Sequence, residues 1–251
     1  MELAGSAAIR SAVYRISVPP IDQGRLEAIQ WIAFACMVID HIGVFFLENA
    51  YWARAAGRLA FPLFALVFSW RLAETLTRSP RRGLLEMGHR LAVAGAFAQA
   101  GFWLMTDGLA TANVMFTFLL TLAVIALSTA ERNFFGLHWT HRTALALALL
   151  AVFHRHVDYG APGIVLLVGL YGFFRWREML ALAIAVAALA AMTVSNPVHL
   201  ALAALPIAAW LVTCNACVGL PRVIPRLFYI LYPAHLFVIL AWFTGRALIS
   251  G

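Results

Sequence analysis

The sequence predicts an all-α, polytopic integral membrane bundle of about nine transmembrane helices, and three observations carry the prediction. Hydrophobic residues make up 63% of the 251 and charged residues only 12%, well below the roughly one quarter typical of soluble domains. The apolar residues gather into long runs, of which residues 26–47 form the clearest. The eighteen basic residues are all arginines, and most stand in short connections between those runs, where positive charge sets orientation across a bilayer. A net charge of +7 on a soluble chain would suggest nucleic acid, but arginines spaced by apolar spans do not, so no nucleic-acid partner is expected.

Residues 1–25 lack an apolar core followed by a small-residue cleavage site, so they read as a cytoplasmic or interfacial segment and not as a cleaved signal. Residues 26–251 read as a single transmembrane domain. The expected spans are 26–47, 58–76, 84–105, 113–128, 143–153, 161–174, 179–194, 200–212 and 227–248. The fifth, sixth and eighth fall short of the roughly 20 residues that cross a bilayer, so tilt or re-entry is open and eight or ten spans also fit. With the N-terminus inside, Arg10, Arg15, Arg25, Arg78, Arg81, Arg82, Arg132, Arg142, Arg175, Arg177, Arg222 and Arg226 lie inside. Only Arg54, Arg58, Arg155 and Arg246 lie outside, so the positive-inside rule favours a cytoplasmic N-terminus.

Under this orientation polar groups from five segments meet at the outer level: Asp40 and His41, Arg58, Asn113, Asp158 and His235. Ionisable groups within spans are costly enough to mark function. A histidine titrates near neutrality, which makes His41 a candidate base. Asp40 is its chain neighbour, yet neighbours on a helix point about 100° apart, so Asp40 is expected to pair with another helix, Arg58 being the candidate. Asn113 reads either as a helix N-cap or as a hydrogen-bond donor to developing negative charge. His235 lies one turn after Tyr232 and is a candidate partner for His41. Arg71, Arg78, Arg81, Arg82, His89 and Arg90 gather at the inner level, where guanidinium groups suit phosphate or anionic lipid. The His154-x-His156 pair has no supporting ligands in sequence, and the pair Cys214 and Cys217 stands alone, so no metal is expected.

Several motifs occur together in order: Asp40-His41, Gly57 to Phe64, Arg90 with Gln99, Asn113 to Thr117, Asp158-Tyr159-Gly160 and Phe228 to Leu236. In this order the chain resembles the TraX family, over roughly Arg25 to Leu240. The resemblance implies a bacterial inner-membrane acetyltransferase that uses acetyl-CoA as donor and the N-terminal amine of a pilin or similar peptide as acceptor. The family is also similar to a wider set of transmembrane acyltransferases with a catalytic histidine near the end of the first conserved helix, a position matched here by His41. It implies catalytic roles for His41, Asp40, Arg58, Asn113, Asp158 and His235, and contact between the inner basic residues and acetyl-CoA. O-acetylation of a glycan and a non-enzymatic role in pilus or secretion assembly are the alternatives. A transporter is disfavoured because no inverted repeat is visible. Oligomeric state is open, since small-residue runs such as 187–191 permit close helix packing within or between chains.

Overall fold

Long apolar stretches with few breakers favour helices. The computed structural model describes residues 20–105, 111–129, 136–194, 200–215 and 227–250, which contain nine α-helices and no β-strand. Residues 1–19, Arg132, Cys217, Arg222 and Arg226 lie outside the described residues. Helix α1, Gln23–Phe46, begins at Asp22, whose carboxylate accepts from the Gly24 N–H at 2.8 Å as an N-cap. The chain turns back through Glu48 and Asn49, both with left-handed φ, into α2, Tyr51–Arg78. Ser79 separates α2 from α3, Pro80–Met105, whose proline sits at the first helical position, where its missing N–H costs nothing. Then come α4, Val114–Ser128; α5, Trp139–Phe153; α6, Gly160–Trp176; and α7, Met179–Val194. A 3₁₀ turn, Ala201–Ala203, leads into α8, Ala204–Thr213, and α9, Leu227–Ser250, follows.

Each expected span except the eighth corresponds to one helix, but α2 begins about two turns earlier than expected. Its first turns are rich in alanine, a strong helix former, and Arg54 faces Asp40 across the α1–α2 junction. A charge that reads in sequence as part of a connection is therefore held inside a helix. The eighth span divides into the 3₁₀ turn and the short α8.

Helix α2 is the centre of the arrangement. Phe61 and Leu72 from α2, Leu91 from α3, Phe118 and Leu122 from α4, and Leu167 and Leu170 from α6 form the main buried cluster. A second cluster, with Leu26, Ile29, Leu63, Val67 and Leu211, joins α1, α2 and α8. Helices α6 and α7 meet backbone to backbone, because a Cβ at Gly169 would lie 2.9 Å from the Ala181 carbonyl oxygen. Many large apolar side chains point outward, among them Trp52, Phe97, Trp103, Leu104, Trp210 and Trp242. By length and composition, α1 and α2 are long and apolar enough to cross a membrane, while α4 to α8 are shorter apolar helices.

Candidate functional site

The α1–α2 pair is closed at each end by an ion pair. At one end Arg71 donates to Glu27 at 2.7 Å, and at the other Arg54 donates to Asp40 at 2.8 Å. The two lie about 20 Å apart along α1, at 1.5 Å of rise per residue. Asp40 thus pairs with a different helix, as its divergence from His41 requires, but the partner is Arg54 and not the expected Arg58. Arg58 is one turn further along α2 and acts electrostatically on both Asp40 and Asp158. Gly57, between the two arginines, lets the helices close: a Cβ there would overlap the Asp40 carboxyl group.

His41 and His235 are hydrogen-bonded, Nδ1 of the first to Nε2 of the second, at 2.8 Å. Their ring centroids are 5.0 Å apart with 15° between the planes, so the two rings lie nearly coplanar with nitrogens facing. The remaining nitrogen of His235, Nδ1, lies 3.2 Å from the Leu231 carbonyl oxygen. A carbonyl can only accept, so His235 Nδ1 carries its hydrogen and, in the neutral ring, Nε2 is the acceptor. His41 Nδ1 must then be the donor, which leaves the lone pair of neutral His41 on Nε2. The chain from the Leu231 carbonyl through His235 to His41 therefore selects one tautomer of His41.

A connection between α5 and α6 brings Asp158 to the same place. Ala112 N–H donates to the His156 carbonyl at 2.7 Å, and Asp158 N–H donates to the Ala112 carbonyl at 2.9 Å, forming a small parallel bridge between two loops. Thr117 Oγ1 donates to the Asp158 carbonyl at 2.6 Å, which ties the loop to α4. Tyr159 takes a left-handed φ of 62°, an uncommon conformation for a residue with a side chain, and its ring stacks on Phe61 at 3.9 Å. The Asp158 carboxylate accepts from the Tyr159 N–H at 3.0 Å. Asp158 itself is exposed at the edge of the cavity; the Tyr159 N–H and Arg58 favour its carboxylate, and Asp40 opposes it.

Asn113 is engaged with the fold. Its side-chain oxygen accepts from Met115 N–H at 3.0 Å, capping α4, and its amide nitrogen donates to Gly95 carbonyl at 2.8 Å and Gln99 Oε1 at 2.9 Å. With both amide hydrogens committed and only 1% of its surface exposed, it offers no donor to a substrate. Of its two sequence readings, the structure presents the N-cap.

Two cavities adjoin these groups. The polar one, about 80 Å³, is lined by Asp40, His41, Gly57, Phe61, Asp158 and Tyr159 among others. The apolar one, about 90 Å³, runs past Gln30, Phe34, Val67, Phe68, Met87 and Phe228 to Arg71. Met37, Phe64, Val114 and Tyr232 line both, so these four side chains form the wall between neighbouring cavities.

The inner basic residues do not form one group. Arg71 lines the apolar cavity and is paired with Glu27. Arg82 and Arg90 both bind Glu86, at 2.7 and 2.9 Å, on the surface of α3. Arg78 binds Glu74 at 2.7 Å and lines a separate cavity. Arg81 and His89 lie on α3.

Sequence reasoning gives no site role to Arg54, Gln30 or Tyr232. Arg54 reads as a loop charge until the length of α2 is known. Gln30 carries a visible signal, a carboxamide inside an apolar run, and its Oε1 is buried with no hydrogen-bond partner among the described residues.

Fold and site together define a helical bundle that holds a hydrogen-bonded histidine pair, two carboxylates and two arginines beside an apolar cavity. The family model described as "TraX protein" matches residues 25–242, and the chain belongs to the TraX family. It is 29% identical over 226 residues to Protein TraX of Escherichia coli, with 86% of each chain covered. It is also 29% identical over 173 residues to Protein TraX of Escherichia coli strain K12, covering 67% of this chain and 64% of that one. No solved structure matches.

Proposed function

We propose that this protein is a multi-pass membrane acetyltransferase of the bacterial inner membrane. It takes acetyl from cytoplasmic acetyl-CoA and passes it to an amine on the opposite side, the N-terminus of a pilin or similar small peptide. The observation that supports this reading is the adjacency of the two cavities: the apolar one, lined at one end by Arg71, shares Met37, Phe64, Val114 and Tyr232 with the polar one lined by His41. An extended pantetheine arm suits the apolar cavity, and an acyl-transfer base suits the polar one. The apolar outer surface and the uneven distribution of arginines support the membrane setting.

In this reading the phosphates of acetyl-CoA stay at the inner mouth, near Arg71 and the basic surface of α3 with Arg81, Arg82, His89 and Arg90. The thioester reaches the polar cavity. Neutral His41 Nε2 takes a proton from the acceptor ammonium or from the amine as it attacks. An α-amino group has a pKa of about 7.7–8.0, within reach of a histidine base. The amine nitrogen bonds to the thioester carbon, the C–S bond breaks, and the departing sulfur takes the second proton of the former ammonium and leaves as CoA. The imidazolium formed on His41 keeps its Nδ1–H bond to His235, which shares the new charge. Arg58, which acts electrostatically on Asp158, is the candidate for meeting negative charge on the thioester oxygen, since both amide hydrogens of Asn113 are committed elsewhere. Asp40 and Asp158 balance the arginines and offer a carboxylate to the incoming ammonium.

Thermal unfolding of the purified protein in detergent tests the reading. Acetyl-CoA should raise Tm progressively with concentration, as a ligand of the folded state must. Absence of any shift up to millimolar acetyl-CoA would return the protein to a non-enzymatic assembly role.

A further inference from the structure

On α2, Trp70, Ala73, Glu74, Thr77 and Arg78 share a face distinct from the one that carries Phe64, Val67, Phe68 and Arg71 along the apolar cavity. With Phe174, Arg175 and Arg177 at the end of α6, that face lines a cavity of about 200 Å³. Arg177 stands just past α6 with a left-handed φ of 62°, and its backbone N–H donates to Phe173 carbonyl at 2.8 Å. Its guanidinium lies 5.5 Å from the centre of the Trp70 ring. Nη1 of that group is buried and meets no hydrogen-bond partner among the described residues.

A guanidinium stays charged at any working pH, so a buried N–H of Arg177 needs an acceptor. Three guanidinium groups, of Arg78, Arg175 and Arg177, line the cavity against one carboxylate, Glu74, which Arg78 binds at 2.7 Å. Planar N–H forks match the oxygens of phosphate. Orientation by the positive-inside rule, or compensation of the α6 dipole, would need only solvated side chains. Neither accounts for a charged donor buried beside an indole. We infer that this cavity is an anion site that takes a phosphate group, carried by an anionic phospholipid headgroup or by a soluble phosphate. The site is separate from the histidine centre and stands whether or not the acetyl-transfer reading holds.

The test is thermal unfolding of the full chain in neutral detergent, titrated with inorganic phosphate or with short-chain phosphatidylglycerol, against chloride at matched ionic strength. At least one phosphate compound should stabilise the protein where chloride does not. Phosphatidylglycerol alone would assign the headgroup source, and inorganic phosphate alone the soluble one. Arg177→Gln should weaken the apparent affinity about tenfold, equivalent to about 1.4 kcal/mol. Glu74→Gln, which removes the opposing carboxylate, should strengthen it, and keeps the inference testable if Arg177→Gln does not fold. No stabilisation beyond chloride, an unchanged response in Arg177→Gln, or a weaker one in Glu74→Gln would overturn it.

Discussion

The two ends of the α1–α2 pair are closed by chemically similar ion pairs, but their surroundings differ. Around Asp40–Arg54 stand His41, His235, Arg58, Asp158 and Tyr159, contributed by three helices and a loop. Around Glu27–Arg71 the neighbours are mostly apolar, and Glu27 is only 5% exposed. An ion pair by itself is thus no mark of function. At one end the pair braces a centre rich in titratable groups; at the other its arginine lines an apolar cavity. The two pairs should consequently fail in different ways.

His41→Ala should show the largest effect. Loss of a positioned base typically costs 10²–10⁴-fold, so acetyl transfer should fall about 10³-fold with Tm little changed. Steady-state kinetics paired with a melting curve checks both halves. Arg71→Leu comes next and acts on stability: it leaves Glu27 buried without its partner, at a cost of about 3 kcal/mol, seen as a lower Tm. Arg54→Leu reverses the balance. Both members of its pair are about a quarter exposed (26% and 21%), so Tm should drop less, while kcat falls about tenfold as Asp40 loses its brace. Equal effects of the two arginine variants on Tm and kcat would erase the distinction between the ends.

The smallest effect is expected at Gln30. Its buried carboxamide oxygen lacks a partner among the described residues, and Gln30 lines the apolar cavity, where an amide-bearing pantetheine arm would supply one. Gln30→Leu should raise KM for acetyl-CoA about fivefold, the size of one hydrogen bond, and leave Tm of the free protein unchanged or higher. A lower Tm with unchanged KM would make Gln30 a structural residue.

Much of the helical order was legible from sequence, because long apolar runs leave a chain few choices other than helices. The divergence of Asp40 and His41 was legible as well, since it follows from 3.6 residues per turn alone. The start of α2 was not: hydropathy treats Arg54 as a boundary, and only its contact with Asp40 shows that it lies within the helix. The Ala112–Val157 bridge left no trace either, for two short loop segments pairing across the bundle create no periodic pattern. Asn113 was legible as a cap, but the commitment of its amide to Gly95 and Gln99 depends on how α3 and α4 pack. The scattering of the inner arginines over several faces was equally hidden, because a linear cluster of charges says nothing about which cavity each one lines.

The central claim is that acetyl enters from the Arg71 end and leaves from the His41 end. It is tested most directly in sealed vesicles carrying the protein in one orientation, with acetyl-CoA outside on the Arg71 side and an acceptor peptide enclosed. The account predicts that the enclosed peptide gains the mass of one acetyl group at its N-terminus, and that His41→Ala vesicles leave it unmodified. An unmodified peptide with the unaltered protein, or equal acetylation with His41→Ala, would contradict it.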